Sequence, residues 1–150
     1  MLTTWQKAHA LGLAIQMHSV PYYASQIRAL ASRVPDMPVI LDHIGRYGQG
    51  TPAEYEQVLK LAELPRAYMK FSAIGSSSKQ PYPHRDIMPV VRRIFDAFGP
   101  DRIIWGGLGM NRKDFDQQAA LFEEFFTFAS EPDRARIRGL NAIKLYGFRP

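Results

Sequence analysis

Histidines and charged residues follow two of the short apolar segments in this sequence. His18 comes directly after residues 13–17, and His43 comes after residues 39–41, flanked by Asp42 and Arg46. If both segments are parallel strands, the two imidazoles lie at the same edge of a sheet, close enough to share a metal ion or a substrate. A plain polar loop residue is the alternative for each histidine. Their occurrence in register favours a catalytic or metal-binding site.

Two basic residues and a serine accompany this pair. The planar guanidinium of Arg46 suits a substrate carboxylate, and a surface role is the alternative. Lys70 falls inside a third apolar segment that ends at Ser72, where a buried ammonium needs a partner, so it is either a site residue or part of an inter-strand ion pair. His9 and His84 lie in a helix-like stretch and a proline-rich loop, which favours solvated or structural roles.

Strand-length and helix-length segments alternate along the chain. Apolar runs of strand length occupy residues 13–17, 39–41, 68–71 and 103–105, and helical periodicities occupy residues 23–34, 55–62, 87–98 and 115–129. Thr51 and Glu54 form a capping box around Pro52, and Ser130 and Asp133 open a later helix in a similar way. This alternation predicts parallel strands joined by helical crossovers.

Two α/β architectures fit this pattern: an open doubly wound sheet and a segment of a (β/α)8 barrel. A dinucleotide-binding unit would place Gly-x-Gly-x-x-Gly after its first strand, where this sequence has Met17, His18 and Ser19. Gly106, Gly107 and Gly109 have the wrong spacing for that motif and are interpreted as a turn. In both architectures the functional site lies at the carboxyl ends of the strands.

Composition excludes several classes of protein. The 150 residues are 46% hydrophobic and 22% charged, which is typical of one globular domain. No apolar run approaches the roughly 20 residues that a membrane helix needs, and residues 1–7 lack the pattern of a secretory signal. The absence of cysteine is consistent with a cytoplasmic protein. The net charge of +5 is scattered over the chain, so nucleic-acid binding is not expected.

Five motifs in order resemble the C-terminal half of the amidohydrolase-related (amidohydrolase 2) family of metal-dependent hydrolases and decarboxylases. They occupy residues 12–18, 39–46, 68–72, 101–106 and 141–147. The Asp-His-x-Gly-Arg form of the second motif is most similar to the lactone-opening branch, such as the dicarboxylate-pyrone and sugar lactone hydrolases. The resemblance covers nearly the whole chain.

This resemblance implies a specific fold and site. The four strands would be strands five to eight of a (β/α)8 barrel, so residues 1–150 would be the C-terminal half of the domain, with the N-terminal half absent. His18 and His43 match histidines that bind metal or substrate in relatives, and Zn or Mn is the implied divalent ion. Lys70 and Ser72 match a Lys-x-Ser motif, and Arg46 matches an arginine suited to an acidic carbonyl substrate.

Two departures from the family pattern favour inactivity of the isolated chain. The His-x-His pair of the first barrel strand is missing with that strand. The eighth strand of relatives ends in an aspartate that accepts a proton, where this chain has Gly106, Gly107 and Leu108. One hypothesis is therefore a lactone-directed hydrolase completed by something outside this chain, and the other is a non-catalytic fragment or pseudoenzyme.

Open sheet edges predict association. A half barrel has two unpaired edge strands, which invite pairing with another chain. We expect self-association, as a homodimer that rebuilds eight strands, or pairing with a separate N-terminal half.

Overall fold

The computed structural model describes residues 1–148, so the last two residues of the predicted 1–150 domain lie outside the described range. Strands and helices alternate in it. The strands are β1 (Ile15–Met17), β2 (Val39–Leu41), β3 (Ala67–Phe71) and β4 (Ile103–Trp105). The helices are α1 (Leu2–Ala10), α2 (Ala24–Ala31), α3 (Pro52–Lys60), α4 (Met88–Phe98), α5 (Arg112–Phe125), α6 (Glu131–Ala135) and α7 (Asn141–Tyr146).

The four strands form one parallel sheet in the order β1-β2-β3-β4. Met17 pairs with Leu41, and Leu41 pairs with Met69, so the residues that follow β1 and β2 begin beside Lys70 of β3. Each strand pair is joined through a helix, as a parallel crossover requires. The predicted α/β class with consecutive parallel β/α units is confirmed.

The main core lies between one face of the sheet and the helices. Phe71 on β3 packs against three phenylalanines that close the C-terminal side of this core, Phe122, Phe125 and Phe126, with ring centroids 5.1–6.3 Å apart. Burial of large apolar side chains stabilises the fold by about 1.5–3 kcal/mol for each. Helix α4 contributes the apolar face that its periodicity predicts, through Val90, Val91, Ile94 and Phe98.

The opposite face of the sheet carries a different set of side chains. Ile40 and Ile104 are buried but lie outside the main cluster. The strand register places Gln16 beside Ile40, and Lys70 beside Ile104. Because side chains alternate between the two faces of a strand, this second face combines apolar and polar residues and leads directly to the ends of the strands.

Asn141 joins the C-terminal helices to the sheet. A π-helical segment, Arg136–Leu140, connects α6 to α7 and contacts β4. Asn141 is buried at the start of α7, and its side-chain amide donates hydrogen bonds to the carbonyl oxygens of Pro100 and Ile103, both at 2.7 Å. These bonds hold the C-terminal helices at the beginning of β4.

Several element boundaries differ from the sequence prediction, among them the start of β1 and the end of α5. The first strand begins at Ile15, because Gly12 has a positive φ of 68° and Leu13 is 53% exposed in the loop that follows it. Helix α5 ends at Phe125 instead of continuing to Ala129, although Phe126 is fully buried beyond its end. The apolar periodicity therefore identified buried residues correctly, but some of them lie after the end of the helix. No helix among residues 1–148 is long and apolar enough to cross a membrane.

Candidate active site

Charged side chains that follow β1 and β2 meet Lys70 of β3. Because Met17, Leu41 and Met69 are aligned, the next residues, His18, Asp42 and Lys70, stand side by side. His18 Nδ1 lies 3.8 Å from Asp42 Oδ2, and Lys70 Nζ lies 3.3 Å from Asp42 Oδ1. Asp42, rather than His43, is thus the register partner of His18, so the expectation that the two histidines occupy equivalent positions is wrong by one residue.

A left-handed turn returns His43 to the cluster. Residues His43–Arg46 all have positive φ values, of 54°, 49°, 64° and 55° in order. Non-glycine residues rarely adopt this conformation, and it costs roughly 1–2 kcal/mol for each residue. Burial of Ile44 and a 2.8 Å hydrogen bond from the Tyr55 hydroxyl to the Ile44 carbonyl oxygen hold the turn. The imidazole rings of His18 and His43 consequently meet edge to face, 4.9 Å between centroids.

Asp42 is the buried centre of the cluster. Its carboxylate is 4% exposed, and Oδ2 accepts a 2.9 Å hydrogen bond from the Gln16 side-chain amide. Oδ1 is buried without a hydrogen bond among residues 1–148, and the Lys70 ammonium lies 3.3 Å from it. A buried carboxylate needs such a counter-charge, since transfer from water disfavours its charged form. Lys70 therefore forms an ion pair with Asp42, one of its two predicted roles, and its role as a site residue stays a prediction.

His43 is oriented by Ser72. Its Nδ1 lies 2.8 Å from the hydroxyl oxygen of Ser72, which is buried at the end of β3. Burial lowers the pKa of His43 from its usual range, Asp42 opposes this shift, and the positive charges of Lys70 and Arg46 add to it. When the Ser72 hydroxyl accepts from Nδ1–H, Nε2 of the neutral imidazole is available to accept a proton.

Arg46 lies across the mouth of the cluster. Its Nη1 donates to His18 Nε2 at 2.9 Å, and its Nε donates to the Gln49 side chain at 3.0 Å. A guanidinium has five N–H donors, so further donors remain for a ligand. His18 is 59% exposed, and the cluster is open to solvent on this side.

The residues at the end of β4 leave room for the Lys70 side chain but contribute no polar side chain to the cluster. A Cβ atom on Gly106 would lie 2.6 Å from Lys70 Cε, so glycine lets the lysine side chain pass. Leu108 is 61% exposed and has no polar group. Asp114 accepts from the Met110 amide, and Asp116 is paired with Arg112 within α5. Neither aspartate belongs to the cluster in the described part of the chain.

Sequence reasoning brought His18, His43, Arg46, Lys70 and Ser72 together, and the structure places all five in one cluster. Their roles stay predictions.

Two members of the cluster were missed. Gln16 could have been found from alternation, because it lies two residues before His18 on the same side of β1. Tyr146 on α7 falls within the motif at residues 141–147 but was not singled out as a site residue; burial, then the charge of Asp42, raises the pKa of its phenol. His9 is exposed on α1, and His84 Nδ1 lies 2.9 Å from the Gln80 carbonyl oxygen, so both fall outside the cluster as expected.

His18, Asp42 and His43 offer a set of metal-binding atoms. One ligand atom from each lies within 4.8 Å of the others. Two imidazole nitrogens and a carboxylate oxygen are a typical donor set for zinc. Oδ1 of Asp42 lies 3.3 Å from Lys70 Nζ but accepts no hydrogen bond within the described residues, which is consistent with such a ligand. Use of Nε2 of His18 as a ligand atom requires Arg46 to release it.

Comparison with known proteins identifies the family. The model of the Amidohydrolase family matches residues 1–148, and the chain belongs to this family. The L-fucono-1,5-lactonase of Burkholderia ambifaria is 29% identical over 147 residues, covering 89% of this chain and 50% of that protein. The resemblance to the lactone-opening branch is thereby confirmed, and the chain spans about half the length of this curated relative.

Solved structures confirm the half-barrel fold. A zinc-bound amidohydrolase from Burkholderia multivorans matches with a TM-score of 0.85 at 20% identity, covering 99% of this chain and 57% of that chain. A probable 2-pyrone-4,6-dicarboxylic acid hydrolase from Acinetobacter baumannii, with citric acid bound, matches with a TM-score of 0.74 at 22% identity, covering 96% and 57%. The four strands thus correspond to about half of an amidohydrolase barrel.

Proposed function

We propose that this chain supplies part of the active site of a metal-dependent hydrolase that opens a carboxylated lactone. The observation that carries the proposal is the convergence of His18, Asp42 and His43 within 4.8 Å, beside the cationic Arg46. Such a cluster at the carboxyl ends of parallel strands is where barrel enzymes carry out their chemistry. The lactonase and the pyrone-dicarboxylic acid hydrolase among its relatives support the substrate class.

A divalent ion, Zn or Mn, would be held by His18, Asp42 and His43. When bound, it would polarise the lactone carbonyl and lower the pKa of a bound water. Lys70 and Gln16 would fix the Asp42 carboxylate from behind through their contacts of 3.3 Å and 2.9 Å. Partners of this kind orient metal ligands and raise metal affinity.

His43 is suited to bind the ion as a neutral imidazole. Burial lowers its pKa, which keeps the imidazole neutral near pH 7, and Ser72 fixes the orientation of its ring. Because Nδ1 lies at the Ser72 hydroxyl, Nε2 is the ring nitrogen left for a ligand, and a nitrogen that binds an ion cannot also accept a proton. In the hydrolysis, water adds to the carbonyl carbon, the ring C–O bond breaks and a proton passes to the leaving alkoxide, which gives a hydroxy acid. This assignment makes His43 a candidate metal ligand.

Arg46 is suited to recognise the substrate. Its guanidinium remains partly accessible at the cluster mouth and can bind a carboxylate through two parallel hydrogen bonds. A change to lysine would keep the charge and lose this planar fork. We expect Arg46→Lys to weaken binding of carboxylated lactones more than binding of neutral ones.

A non-catalytic role is the second candidate, and the end of β4 favours it. Gly106, Gly107 and Leu108 provide no carboxylate where the sequence resemblance implies one, and Asp114 and Asp116 are engaged within α5. Metal binding and substrate binding need no base, whereas turnover does. A chain that binds metal without hydrolysing lactones would fit this second function.

The two candidates are separated by one pair of measurements. Zn²⁺ and Mn²⁺ are titrated calorimetrically into the purified chain, and hydrolysis of sugar lactones and dicarboxylated pyrones is followed in a pH-stat. We expect metal uptake that falls at least tenfold in His43→Asn, with His9→Asn, an exposed histidine outside the cluster, as the control. Turnover abolished by His43→Asn supports the hydrolase, and uptake without turnover supports the binding role. Absence of uptake contradicts the metal site.

A further inference from the structure

A cleft lies between helices α3 and α4, apart from the cluster around Asp42. Its volume is about 480 Å³, within the range of roughly 300–1,000 Å³ that is typical of small-molecule sites. All of its lining residues belong to the loops that follow β2 and β3 or to these two helices. They include Tyr47, Thr51, Glu56, Ser77, Lys79 and Arg93. No side chain of the Asp42 cluster lines the cleft, so the two are separate candidate sites.

One buried side chain of the cleft lacks a hydrogen-bond partner. Ser77 is 8% exposed, and its hydroxyl has no partner within residues 1–148. Buried polar groups of folded proteins are almost always hydrogen-bonded, so a group without a partner requires an explanation such as a ligand or a bound water. A ligand hydroxyl in the cleft would supply the partner that Ser77 lacks.

The remaining hydrogen-bonding capacity of the cleft consists mainly of donors. The carboxylate of Glu56 is paired with Arg93. Asp86 accepts from the Ser78 hydroxyl and, at 2.8 Å, from the backbone amide of Lys79. The Lys79 ammonium is exposed, forms no ion pair in the described part of the chain and has three N–H donors. Arg93 keeps donors beyond the one that contacts Glu56. A ligand that presents acceptors is therefore complementary to the cleft.

Charge and shape restrict the class of ligand. The formal charges of the two basic and two acidic residues that line the cleft cancel, so a multiply charged anion such as phosphate would lack compensation there. A single carboxylate matches the donors that remain on Lys79 and Arg93. The half-buried ring of Tyr47 offers an apolar surface for the carbon atoms of a ligand.

We infer that this cleft binds a small aliphatic monocarboxylate that carries hydroxyl groups. Its carboxylate would accept from Lys79 and Arg93, one of its hydroxyls would be the partner of Ser77, and its carbon atoms would pack on Tyr47. None of these residues belongs to the Asp42 cluster. The inference therefore goes beyond the proposed hydrolase activity and does not depend on it.

Two tyrosines connect the cleft to the left-handed turn after β2. Tyr47 follows the turn directly, and its ring meets that of Tyr55 edge to face, 5.0 Å between centroids. The hydroxyl of Tyr55 donates to the carbonyl oxygen of Ile44 within the turn. A ligand that packs on Tyr47 should consequently change the NMR chemical shift of the Ile44 amide.

The first test is calorimetric titration of D-gluconate into the full chain, in EDTA so that no metal ion takes part. We expect saturable one-to-one binding. D-sorbitol, which has a hydroxyl in place of the carboxylate, and inorganic phosphate should each bind at least tenfold more weakly. Lys79→Met should weaken gluconate binding at least tenfold, whereas Lys113→Met, at an exposed lysine of α5 outside the cleft, should change it less than twofold.

Ser77→Ala tests the hydroxyl contact separately from folding. Because this hydroxyl has no partner in the free chain, its removal should leave the urea midpoint unchanged or raise it, while gluconate affinity falls at least threefold. In NMR spectra of the unsubstituted chain, gluconate should shift the amide signals of Gly48, Ile44 and Lys79. The amide of Ile40, in the central strand β2, should not shift.

Three outcomes would overturn the proposal. The first is the absence of saturable gluconate binding at millimolar concentration. The second is binding of sorbitol or phosphate as tightly as gluconate, which would exclude the monocarboxylate class. The third is gluconate binding that is lost in Arg46→Gln and retained in Lys79→Met. This result would place gluconate at the Asp42 cluster, so the substrate recognition proposed for Arg46 would stand without a second site.

Discussion

Asp42 concentrates the electrostatics of the site in one buried side chain. It accepts a hydrogen bond from the Gln16 side-chain amide and forms an ion pair with the Lys70 ammonium. The strand register also places it beside His18. Removing one member of a buried ion pair is costly because the other charge is left without compensation. Asp42 is thus expected to contribute to stability as well as to the site.

Asp42→Asn should therefore lower the free energy of unfolding by about 1–3 kcal/mol, since the half-buried ammonium of Lys70 loses its counter-charge. Urea denaturation followed by circular dichroism measures the change. Asp36→Asn, an exposed aspartate before β2, is the matched control and should change stability by less than about 0.5 kcal/mol. Equal effects of the two substitutions would contradict the ion-pair role.

His43 makes stability depend on pH. Burial lowers its folded-state pKa below the unfolded value, so the unfolded chain binds more protons between these two pKa values. Stability should consequently rise with pH through this window, and fall on acidification below about 6.5. His43→Asn, which retains tolerance of positive φ, should flatten the dependence. Denaturation from pH 5 to 8 in EDTA measures it, and an unchanged slope in the variant would assign the effect to another group.

The left-handed turn is the element that assembles the site. The chain reverses direction in this turn directly after β2, which brings the imidazole of His43 beside that of His18. The turn also places the guanidinium of Arg46 at the mouth of the cluster, within hydrogen-bonding distance of His18. Its backbone conformation is unfavourable for three of its four residues, and such strain persists where the surrounding packing determines it. Gly45 is the position where packing is tightest.

Gly45→Ala should lower the free energy of unfolding by about 2–4 kcal/mol, because its Cβ would combine left-handed strain with a 2.5 Å approach to Val58 Cγ1. Gly12→Ala is the matched control: Gly12 has a similar φ, but a Cβ there meets nothing within 4 Å, so only the strain of about 1–2 kcal/mol remains. Thermal and urea unfolding compare the two. Similar losses would show that steric room at Gly45 is unimportant.

Asn141 fixes the C-terminal helices by hydrogen bonds rather than by apolar contact. Asn141→Leu should cost about 2–4 kcal/mol, since each buried acceptor left without its donor costs about 1–3 kcal/mol and two carbonyl groups are affected. Asn111→Leu at the exposed start of α5 removes only a helix cap and should cost about 1 kcal/mol. A smaller loss at Asn141 than at Asn111 would contradict this anchoring role.

At the scale of the whole molecule, we expect resistance to local unfolding to be greatest in the middle of the sheet. Strands β2 and β3 are paired on both sides, whereas β1 and β4 are each paired on one side in the described part of the chain. Local opening requires less free energy where backbone groups face water. Stability should therefore decrease from the centre of the sheet toward its edges.

Hydrogen exchange of the isolated chain should show this gradient. Amides of β2 and β3 that bond within the sheet should exchange with the free energy of global unfolding. The Ile15 amide donates to the Pro38 carbonyl oxygen, so the amide of Gln16 faces away from β2 and should exchange near the rate of an unstructured peptide. Two-dimensional NMR in D₂O measures each amide. Uniform protection across all four strands would show that the edges are covered in solution.

Much of the architecture could be predicted from local sequence. The apolar runs of β2 and β4, the apolar stripe of α4, and the capping box at Thr51 each depend on nearby residues, and all occur as expected. The end of α5 could not be predicted, because Phe126 is buried by tertiary packing after the helix has ended. Apolar periodicity reports burial and only indirectly helical geometry.

The site divides in the same way. The sequence alone determined which residue types follow each strand, and with the parallel order of the strands this placed His18, His43, Arg46, Lys70 and Ser72 at one edge. Only the tertiary structure decided that Asp42 is their buried centre and that His43 reaches His18 through a left-handed turn. The physical reason is that register and turn conformation depend on contacts with distant residues such as Tyr55 and Val58.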